Sequence, residues 1–374
     1  MDVNVDLISN GLAQGEVANQ LMANGRLNIG AMRPFMDFDD NGKFLGSYIS
    51  IYKGGNPKLI SNYQSQLVAN ATLRRDEWKQ LDDAILEEGK YRLGGIEDLV
   101  SKGLTYNLGN AMGTTILEWH DVAGSMTAEL TMDGVSRSKN DRPNFQYNYL
   151  PIPIISVDYE INARELAASR SLGNPLDTTI AGRAARAVNE QLENMLFTDT
   201  TYGYGEKDSR ERNKIYSYIN FPDRITKAIG AHWDDGDFDS DGGAGPDKIV
   251  NDVADMKAKS IAAYQNGPWM LYIPTAYEVT IDKDYNRTSG KTIRERIMQI
   301  SGIQGIKVID TLPANNVLLV QMKPDTVRLV RGMGLQNVEW QVEGKLLNKY
   351  KVMTIQVPQI RSDQNGKCGI VHMA

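Results

Sequence analysis

The sequence has little of the side-chain chemistry on which metal centres and nucleophilic active sites usually depend. Cys368 is the only cysteine among 374 residues, so an intrachain disulfide and a cysteine zinc site are excluded. The histidines His120, His232 and His372 lie far apart in the sequence, and no glycine-flanked serine forms a nucleophile elbow. Because carboxylates are abundant, the sequence leaves open a catalytic pair of carboxylates, although no spacing between them along the chain favours such a pair. We therefore expect neither an enzyme nor a cofactor.

Long apolar runs and an excess of basic residues are also missing. No apolar run approaches the ~18 residues of a membrane helix, and the start MDVNVDLISN lacks a signal pattern, so we expect a cytosolic product. The net charge of −6 argues against a dedicated nucleic-acid binder, although not against a protein that encloses nucleic acid. A chain of 374 residues is long enough for two or three cores.

The strongest pattern that is present is an apolar stripe between Asp177 and Asp199. It predicts a helix of about twenty residues and ~30 Å, begun by Asp177. The predicted buried stripe comprises Ile180, Ala184, Ala187, Val188, Leu192, Met195 and Leu196. The predicted polar side comprises Gly182, Arg183, Arg186, Asn189, Glu190 and Glu193. Gln191 falls inside the stripe and would need a hydrogen-bond partner if it were buried.

The residues before this helix divide into three parts. Residues 1–72 are extended pieces between turns that bury little apolar area alone, which favours an arm lying on the rest of the protein or on neighbouring subunits. The alternative is a strand-rich addition to the main core. Residues 73–88 are predicted to be a helix that buries Trp78, Leu81 and Ile85, and a shorter helix ends at Gly103.

Residues 113–133 alternate with the period of a β-strand. The segments GTTILEWHDV and SMTAELTMD, joined at Ala123-Gly124, predict a long β-hairpin, on which His120 is exposed. Because a two-stranded ribbon is marginal by itself, this hairpin needs a partner surface. Residues 149–159 then predict one strand, which Pro151 and Pro153 confine to an edge or to one-sided pairing.

The chain beyond the long helix begins as a mixed α/β pattern. A helix over residues 248–265, with Pro246 at its start, precedes a strand at 268–274, two short helices and strands at 306–309, 317–322 and 327–330. The tail predicts long antiparallel strands, at 338–342, at 351–357 and at 359–371 folded over the turn at 363–366.

An acidic loop is the one weak candidate for a metal site. Asp237, Asp239 and Asp241 open like a calcium loop, but Lys248 occupies the twelfth position, where a bidentate glutamate is needed. A similar opening at residues 37–42 has Tyr48 at that position. A solvated acidic loop is therefore favoured for the first stretch and a plain turn for the second.

The order of these elements resembles that of the major capsid proteins of tailed phages, the Hong Kong 97 fold, and of the related encapsulin shell proteins. The resemblance covers roughly residues 73–374. DEWKQLDDAI at 76–85 is similar to the N-terminal helix of encapsulins. Residues 150–199, which include NARELAASR, are similar to the strand and the long "spine" helix of encapsulins. Strands of the apical domain of these shell proteins are similar to three further segments, GPWMLYIPT at 267–275 and residues 306–312 and 327–330.

The resemblance implies an α+β capsid fold with five parts. These are an N-terminal arm (1–72), N-terminal helices (73–105), an extended loop (106–148), an apical domain (230–335), and a peripheral domain (149–229 and 336–374) with its spine helix at 177–198. The extended loop would reach across a neighbouring subunit. Its implied inter-subunit contacts are Ile116, Leu117, Trp119, Met126, Leu130 and Met132.

The function that the resemblance implies is that of a structural protein whose copies form the pentamers and hexamers of an icosahedral shell. The expected partners are other copies of the chain, portal and scaffolding or decoration proteins, and enclosed double-stranded DNA bound without sequence specificity. The expected location is the virion, after assembly in the host cytoplasm. About seventy residues ahead of the first helix favour a phage capsid over an encapsulin compartment, and an α/β enzyme is the remaining alternative. Lys139, beyond the hairpin, has no assigned cross-linking role.

Overall fold

A computed structural model describes most of the chain. Its described residues are 35–39, 43–52, 63–68, 73–89, 94–109, 112–122, 132, 145–172, 178–199, 202–206, 213–234, 245–285, 290–343, 347–363 and 365–374. The helices among them are α1 (Arg75–Gly89), α2 (Gly94–Ser101), α3 (Ala163–Leu172), α4 (Thr179–Phe197), α5 (Pro246–Ala262), α6 (Glu278–Ile281) and α7 (Ile293–Met298). A 3₁₀ turn, Thr275–Tyr277, precedes α6. None of these helices has the length and apolar character needed to cross a membrane.

Within the described residues, the strands form five sheets. A four-stranded sheet near the N-terminus has the order β3 (Tyr63–Val68), β2 (Phe44–Tyr52), β1 (Phe35–Phe38) and β4 (Leu73–Arg74). Two pairs stand apart, β9 (Tyr202–Gly203) with β10 (Lys214–Ile215), and β6 (Ile116–Val122) with β7 (Phe145–Pro151). The long-strand sheet has the order β5 (Thr105–Asn107), β15 (Val327–Glu343), β16 (Leu347–Ile360) and β8 (Ile155–Asn162). The mixed sheet has the order β11 (Ile225–Lys227), β17 (Ile370–Met373), β14 (Val317–Gln321), β12 (Trp269–Pro274) and β13 (Ile303–Ile309).

The mixed sheet is covered on both faces, because its central strands are apolar along their whole length. Every residue of β12, β14 and β17 is buried. Leu271 and Ile273 point into a core shared with α5 and α7, whereas Met270 and Tyr272 point into a second core shared with α2 and the end of α4. Alternate residues of β12 therefore pack into two different cores.

Helix α4 spans two of the three hydrophobic cores. Its first half, with Ala185 and Val188, packs with α1 and the long strands β8 and β16. Its second half, with Leu192, Leu196 and Phe197, packs in the core beneath the mixed sheet. The helix thereby contributes to both of these cores.

The predicted faces of α4 are partly wrong. Ile180 and Ala187 are exposed, whereas Gly182, Asn189 and Glu193 are buried. Since α1 and the long strands both pack against the helix, the buried arc is wider than the apolar stripe and displaced from it. Gln191 is exposed and needs no buried partner. The predicted start at Asp177 lies outside the described residues.

The helices α1, α2, α5 and α7 confirm their predicted signals. Trp78, Leu81 and Ile85 are buried together in one core. Gly103, at a φ of +70°, follows the end of α2, where a left-handed residue is least strained. Thr292 and Glu295 form a capping box that starts α7.

Three strand predictions are wrong in extent or pairing. Residues 327–330 and 338–342 belong to one strand, β15, and residues 149–159 divide into β7 and β8, which lie in different sheets. Pro153 lies in the break, since its lack of an N–H favours the end of a ladder. The predicted hairpin over residues 359–371 is absent, because β17 pairs with β14 and β11. Two strands of the mixed sheet, β11 and β17, thus lie outside the predicted apical range of 230–335.

The N-terminal region forms strands where the structure describes it. Phe35 of β1 is buried in the same core as Trp78 of α1, and β1 pairs in parallel with β4 just before that helix. The described part of this region is therefore attached to its own subunit. Residues 1–34 lie outside the described residues.

Candidate functional site

The strand pair β6–β7, called the ribbon below, includes residues 116–122 and 145–148 of the predicted extended loop (106–148). The two strands are antiparallel, with Leu117 opposite Leu150 and His120 opposite Tyr147. They form a two-stranded sheet, joined to the body by an isolated bridge between Tyr149 and Asn213. A ribbon of this kind depends on packing against other surfaces for its stability.

The two faces of the ribbon differ. Leu117 and Trp119 are half-buried and pack against the core beneath the mixed sheet. Glu118 and His120 alternate with them and are exposed, and the rings of His120 and Tyr147 meet edge to face with their centroids 4.4 Å apart. One face is thus attached to the subunit, while the other presents aromatic side chains to the outside.

The first strand of the predicted hairpin is confirmed. Residues 116–122 form β6, which pairs with β7, while residues 123–131 and 133, the rest of the predicted hairpin, lie outside the described residues. Of the predicted contact residues, Ile116, Leu117 and Trp119 lie together on β6, and Met132 is fully exposed. Met126 and Leu130 lie outside the described residues.

The weak metal candidates receive no support from the described part of the chain. Asp237, Asp239 and Asp241 lie outside it, and no group of three metal-ligating side chains occurs within it. In the second acidic stretch, the backbone N–H of Lys43 donates to Asp39 Oδ1 at 2.7 Å, in the turn between β1 and β2. Residues 40–42 of that stretch lie outside the described residues.

A buried carboxylate joins α4 to α2. Glu193 accepts hydrogen bonds from the backbone N–H groups of Gly95 at 2.9 Å and Ile96 at 3.5 Å, in the first turn of α2. Burial raises the pKa of the Glu193 carboxyl from 4.5 to about 7, and the two backbone hydrogen bonds oppose that rise. A Cβ on Gly95 would overlap the ring of Phe197, so glycine allows the two helices their close approach.

A second buried carboxylate joins α2 to the mixed sheet. Asp98 accepts from Tyr272 Oη at 2.9 Å and lies 2.8 Å from Lys307 Nζ. Burial acts to lower the pKa of Lys307, but Asp98 and Glu97 raise it overall. We call the contacts of Glu193 and Asp98 the helix junction. It fixes α4, α2 and the mixed sheet to one another within a single subunit.

Sequence reasoning missed the helix junction. The positions of Glu193 and Asp98 in their helices gave no reason to expect burial, and their partners come from distant segments. The adjacent glycines Gly94 and Gly95 were the available signal, since such a pair permits close helix packing.

Cys368 and His372 are both buried in the interior of the described part of the chain. Burial raises the pKa of the Cys368 thiol to about 12, which disfavours a reactive thiolate. Burial, and then Arg224, lower the pKa of His372 to about 4, while the ring lies 2.6 Å from Asn316 Oδ1. Cys368 lies in a loop rather than in the predicted alternating strand.

Comparisons with known proteins agree with this architecture. A family model described as "Family of unknown function (DUF6260)" matches residues 68–373. A virus-like particle from Pyrococcus furiosus is 18% identical with a TM-score of 0.56, over 79% of this chain and 99% of that one. The capsid of Myoviridae Phage XM1 is 10% identical with a TM-score of 0.53, over 75% of this chain and 91% of that one.

A third solved structure has the same overall path. The capsid of a native GTA particle is 12% identical with a TM-score of 0.51, over 74% of this chain and 88% of that chain. At these identities the likeness shows the fold. The predicted α+β class and Hong Kong 97-type capsid fold are confirmed.

Proposed function

The chain belongs to the family DUF6260, and from its fold we propose that it is a structural protein that self-assembles into an icosahedral shell. Specifically, we propose that it is the major capsid protein of a tailed phage and that its shell encloses the phage genome. It acts by forming contacts between copies and not by catalysis.

The observation that carries this proposal is the extent of the structural likeness. The alignment with the phage XM1 capsid covers 75% of this chain and 91% of that chain, so the likeness extends across the whole capsid subunit. The ribbon adds a physical reason. A two-stranded sheet with one exposed aromatic face gains stability when a neighbouring copy covers it.

The proposal assigns a role to each region. The ribbon and the rest of residues 106–148 reach a neighbouring subunit, residues 230–335 gather around the five- and six-fold axes, and the spine helix with the long strands forms the peripheral domain. Other copies of the chain are the main partner. Portal and scaffolding or decoration proteins are further partners, and no membrane is involved.

The proposed cargo is double-stranded DNA, held by confinement. A chain with a net charge of −6 is poorly suited to neutralising phosphates, so binding without sequence specificity inside a closed shell fits better than direct recognition. The shell would assemble in the host cytoplasm and remain in the virion.

Size-exclusion chromatography followed by negative-stain electron microscopy tests the proposal. The purified full chain in physiological salt is expected to elute as a large assembly and to show closed particles. A monodisperse monomer that forms no particles over a wide concentration range would contradict it. The same experiment with added scaffolding protein is the control, because a chain that requires scaffolding would form no particles alone.

A compartment of the encapsulin type is the second candidate. It is favoured by the virus-like particle from Pyrococcus furiosus, whose 18% identity exceeds the 10% and 12% of the two capsids. The contents of the particles separate the two roles. Nuclease-protected DNA supports the phage capsid, whereas packaged enzyme without DNA supports the compartment.

A further inference from the structure

Two arginines share one face at an end of the long-strand sheet. Arg328 of β15 lies opposite Gln359 of β16, and Arg361 directly follows β16. The backbone N–H of Arg361 donates to the carbonyl of Thr326 at 2.9 Å, which continues the ladder of the two strands. Because alternate residues of a strand lie on one face, Arg361 lies on the same face as Gln359 and Arg328. We call Arg328 and Arg361 the arginine pair.

The side chain of Arg328 is held in position by its own subunit. Its Nε donates to Gln359 Oε1, and its guanidinium lies over the ring of Tyr106, 4.4 Å from the ring centroid. Gln359 is fully buried, so the acceptor is fixed by the core. A guanidinium that is already fixed loses little rotamer freedom when it binds a ligand, which makes Arg328 a pre-organised donor.

The arginine pair has little negative charge beside it. Among the described residues, Asp325 carries the one carboxylate within 4.0 Å of either guanidinium, and it is 94% exposed and 4.0 Å from Arg361 Nη1. Burial, and then the positive charge of Arg361, lower the pKa of Arg328. The subunit therefore places two like charges together with one solvated counter-charge, an arrangement that a bound anion would stabilise.

The terminal donors of the arginine pair can be reached from outside. The Nη1 and Nη2 atoms of both side chains donate no hydrogen bond within the described subunit, and they retain contact with solvent. Tyr106, beside Arg328, is 39% exposed, and Lys323 is exposed in the turn before β15. A ligand can thus meet these N–H groups at the surface, without entry into the core.

The chemistry of the ligand follows from the donors. The N–H forks of guanidinium groups match the oxygens of a phosphate or a carboxylate. A phosphate is favoured here, because exposed aromatic rings beside cationic side chains are typical of nucleic-acid contacts that tolerate any sequence. The proposed cargo would supply such groups in excess, since double-stranded DNA carries one negative charge per ~1.7 Å of its axis.

We propose that the arginine pair binds a phosphate group, which in the assembled shell is a backbone phosphate of the enclosed DNA. The DNA part of this inference rests on the proposed function. The contact is independent of sequence and local, so it agrees with a shell that holds its genome mainly by confinement. The face of the sheet that carries the pair then looks into the shell.

The test measures binding of a short labelled DNA duplex to the unassembled full chain at low salt, by fluorescence anisotropy. Arg328→Gln should weaken binding about tenfold, because a charge-assisted hydrogen bond to phosphate is lost. Arg361→Gln should act in the same direction, and both variants should make binding less dependent on salt. Inorganic phosphate should raise the melting temperature of wild type more than that of either variant.

Arg294→Gln is the matched control, since Arg294 Nε lies 2.6 Å from Asp282 Oδ1 and its charge is already paired. It removes the same charge and should change duplex binding by less than about twofold. Equal losses from Arg294→Gln and Arg328→Gln would show that only net charge matters, and the site would be wrong. If Arg328→Gln lowers the melting temperature, Arg361→Gln decides, because the Arg361 guanidinium has only the distant contact with Asp325.

The remaining outcomes separate the sources of the phosphate and the two proposals. Stabilisation by inorganic phosphate without binding of the duplex would overturn the DNA assignment. A map of the shell with the pair on the outer surface, or with a carboxylate of a neighbouring copy between the guanidiniums, would overturn it as well. Wild-type protein that forms no shell would contradict the proposed function, whereas duplex binding that Arg328→Gln weakens would still support the phosphate site.

Discussion

The helix junction and the ribbon differ in how far the contacts of a single chain cover them. At the junction, Glu193 and Asp98 are buried carboxylates whose hydrogen bonds come from within the subunit. On the ribbon, His120 and Tyr147 lie on an exposed face, and their rings meet each other edge to face. The comparison separates a region whose contacts lie within one chain from a region with an exposed face, which a neighbour would cover in the proposed shell. Changes at the junction should therefore act on the stability of the subunit, and changes on the ribbon should act on assembly.

The largest effect on the subunit is expected from Phe197→Ala at the junction. Phe197 is fully buried, and its ring meets those of Tyr218 and Tyr272 at centroid distances of 5.5 and 5.1 Å. Loss of a buried aromatic side chain leaves a cavity and should lower the free energy of unfolding by about 3–5 kcal/mol. Urea denaturation of the unassembled subunit measures this.

The control for that variant is Ile180→Ala on the same helix. Ile180 is 46% exposed, so its truncation should change the free energy of unfolding by less than about 0.5 kcal/mol. Equal losses from both variants would show that the two ends of α4 are not covered as described.

The next effect is a pH dependence that comes from Glu193. Its pKa in the folded protein, about 7, is above the ordinary value of 4.5, so between these pH values the folded state binds more protons than the unfolded state. Stability from this group therefore falls as pH rises from 4.5 to 7, by an amount on the order of 3 kcal/mol. The charges that face Glu193 are Lys307, which opposes the shift, and Asp98, which adds to it.

Glu193→Gln isolates this dependence, because the amide does not titrate. The free energy of unfolding of the variant minus that of wild type should increase by on the order of 3 kcal/mol between pH 4 and pH 8. His372, with its pKa lowered to about 4, contributes a change of opposite sign, but it is present in both proteins and cancels in the difference. A difference that is constant across this range would show that Glu193 does not titrate as its burial indicates.

The smallest effect on the subunit is expected from Tyr147→Ala on the ribbon. Tyr147 is 57% exposed, and its edge-to-face contact with His120 contributes at most about 0.5–1 kcal/mol. Shell yield should fall by a larger factor than this loss explains, because in the proposed shell a neighbour covers the exposed face of the ribbon. A yield that follows the small loss of stability would place Tyr147 outside the interface.

The sequence predicts best the elements whose apolar pattern is strong and local. Trp78, Leu81 and Ile85 recur with the helical period and are buried on one face of α1, and the apolar run from Trp269 predicts a strand that is buried on both sides. The order of such elements was sufficient for the capsid fold, because that fold is defined by their succession.

The parts that the sequence did not predict depend on contacts between distant segments. Glu193 meets Gly95, 98 residues earlier, and a glutamate beside the apolar stripe gives no sign of that partner. Likewise, β6 pairs with β7, which follows it only after residues 123–144, and no local pattern of either strand indicates that pairing.

Assembly with and without the tip of the ribbon tests the account most directly. Val122 pairs with Phe145, so a short Asn-Gly turn can replace residues 123–144 while both strands of the ribbon remain. Electron micrographs of wild type and of this variant should show closed shells for the first, and a folded subunit with no closed shells for the second. Normal shells from the shortened variant would contradict the inter-subunit role proposed for residues 123–144, and a wild type that remains a monomer would contradict the shell itself.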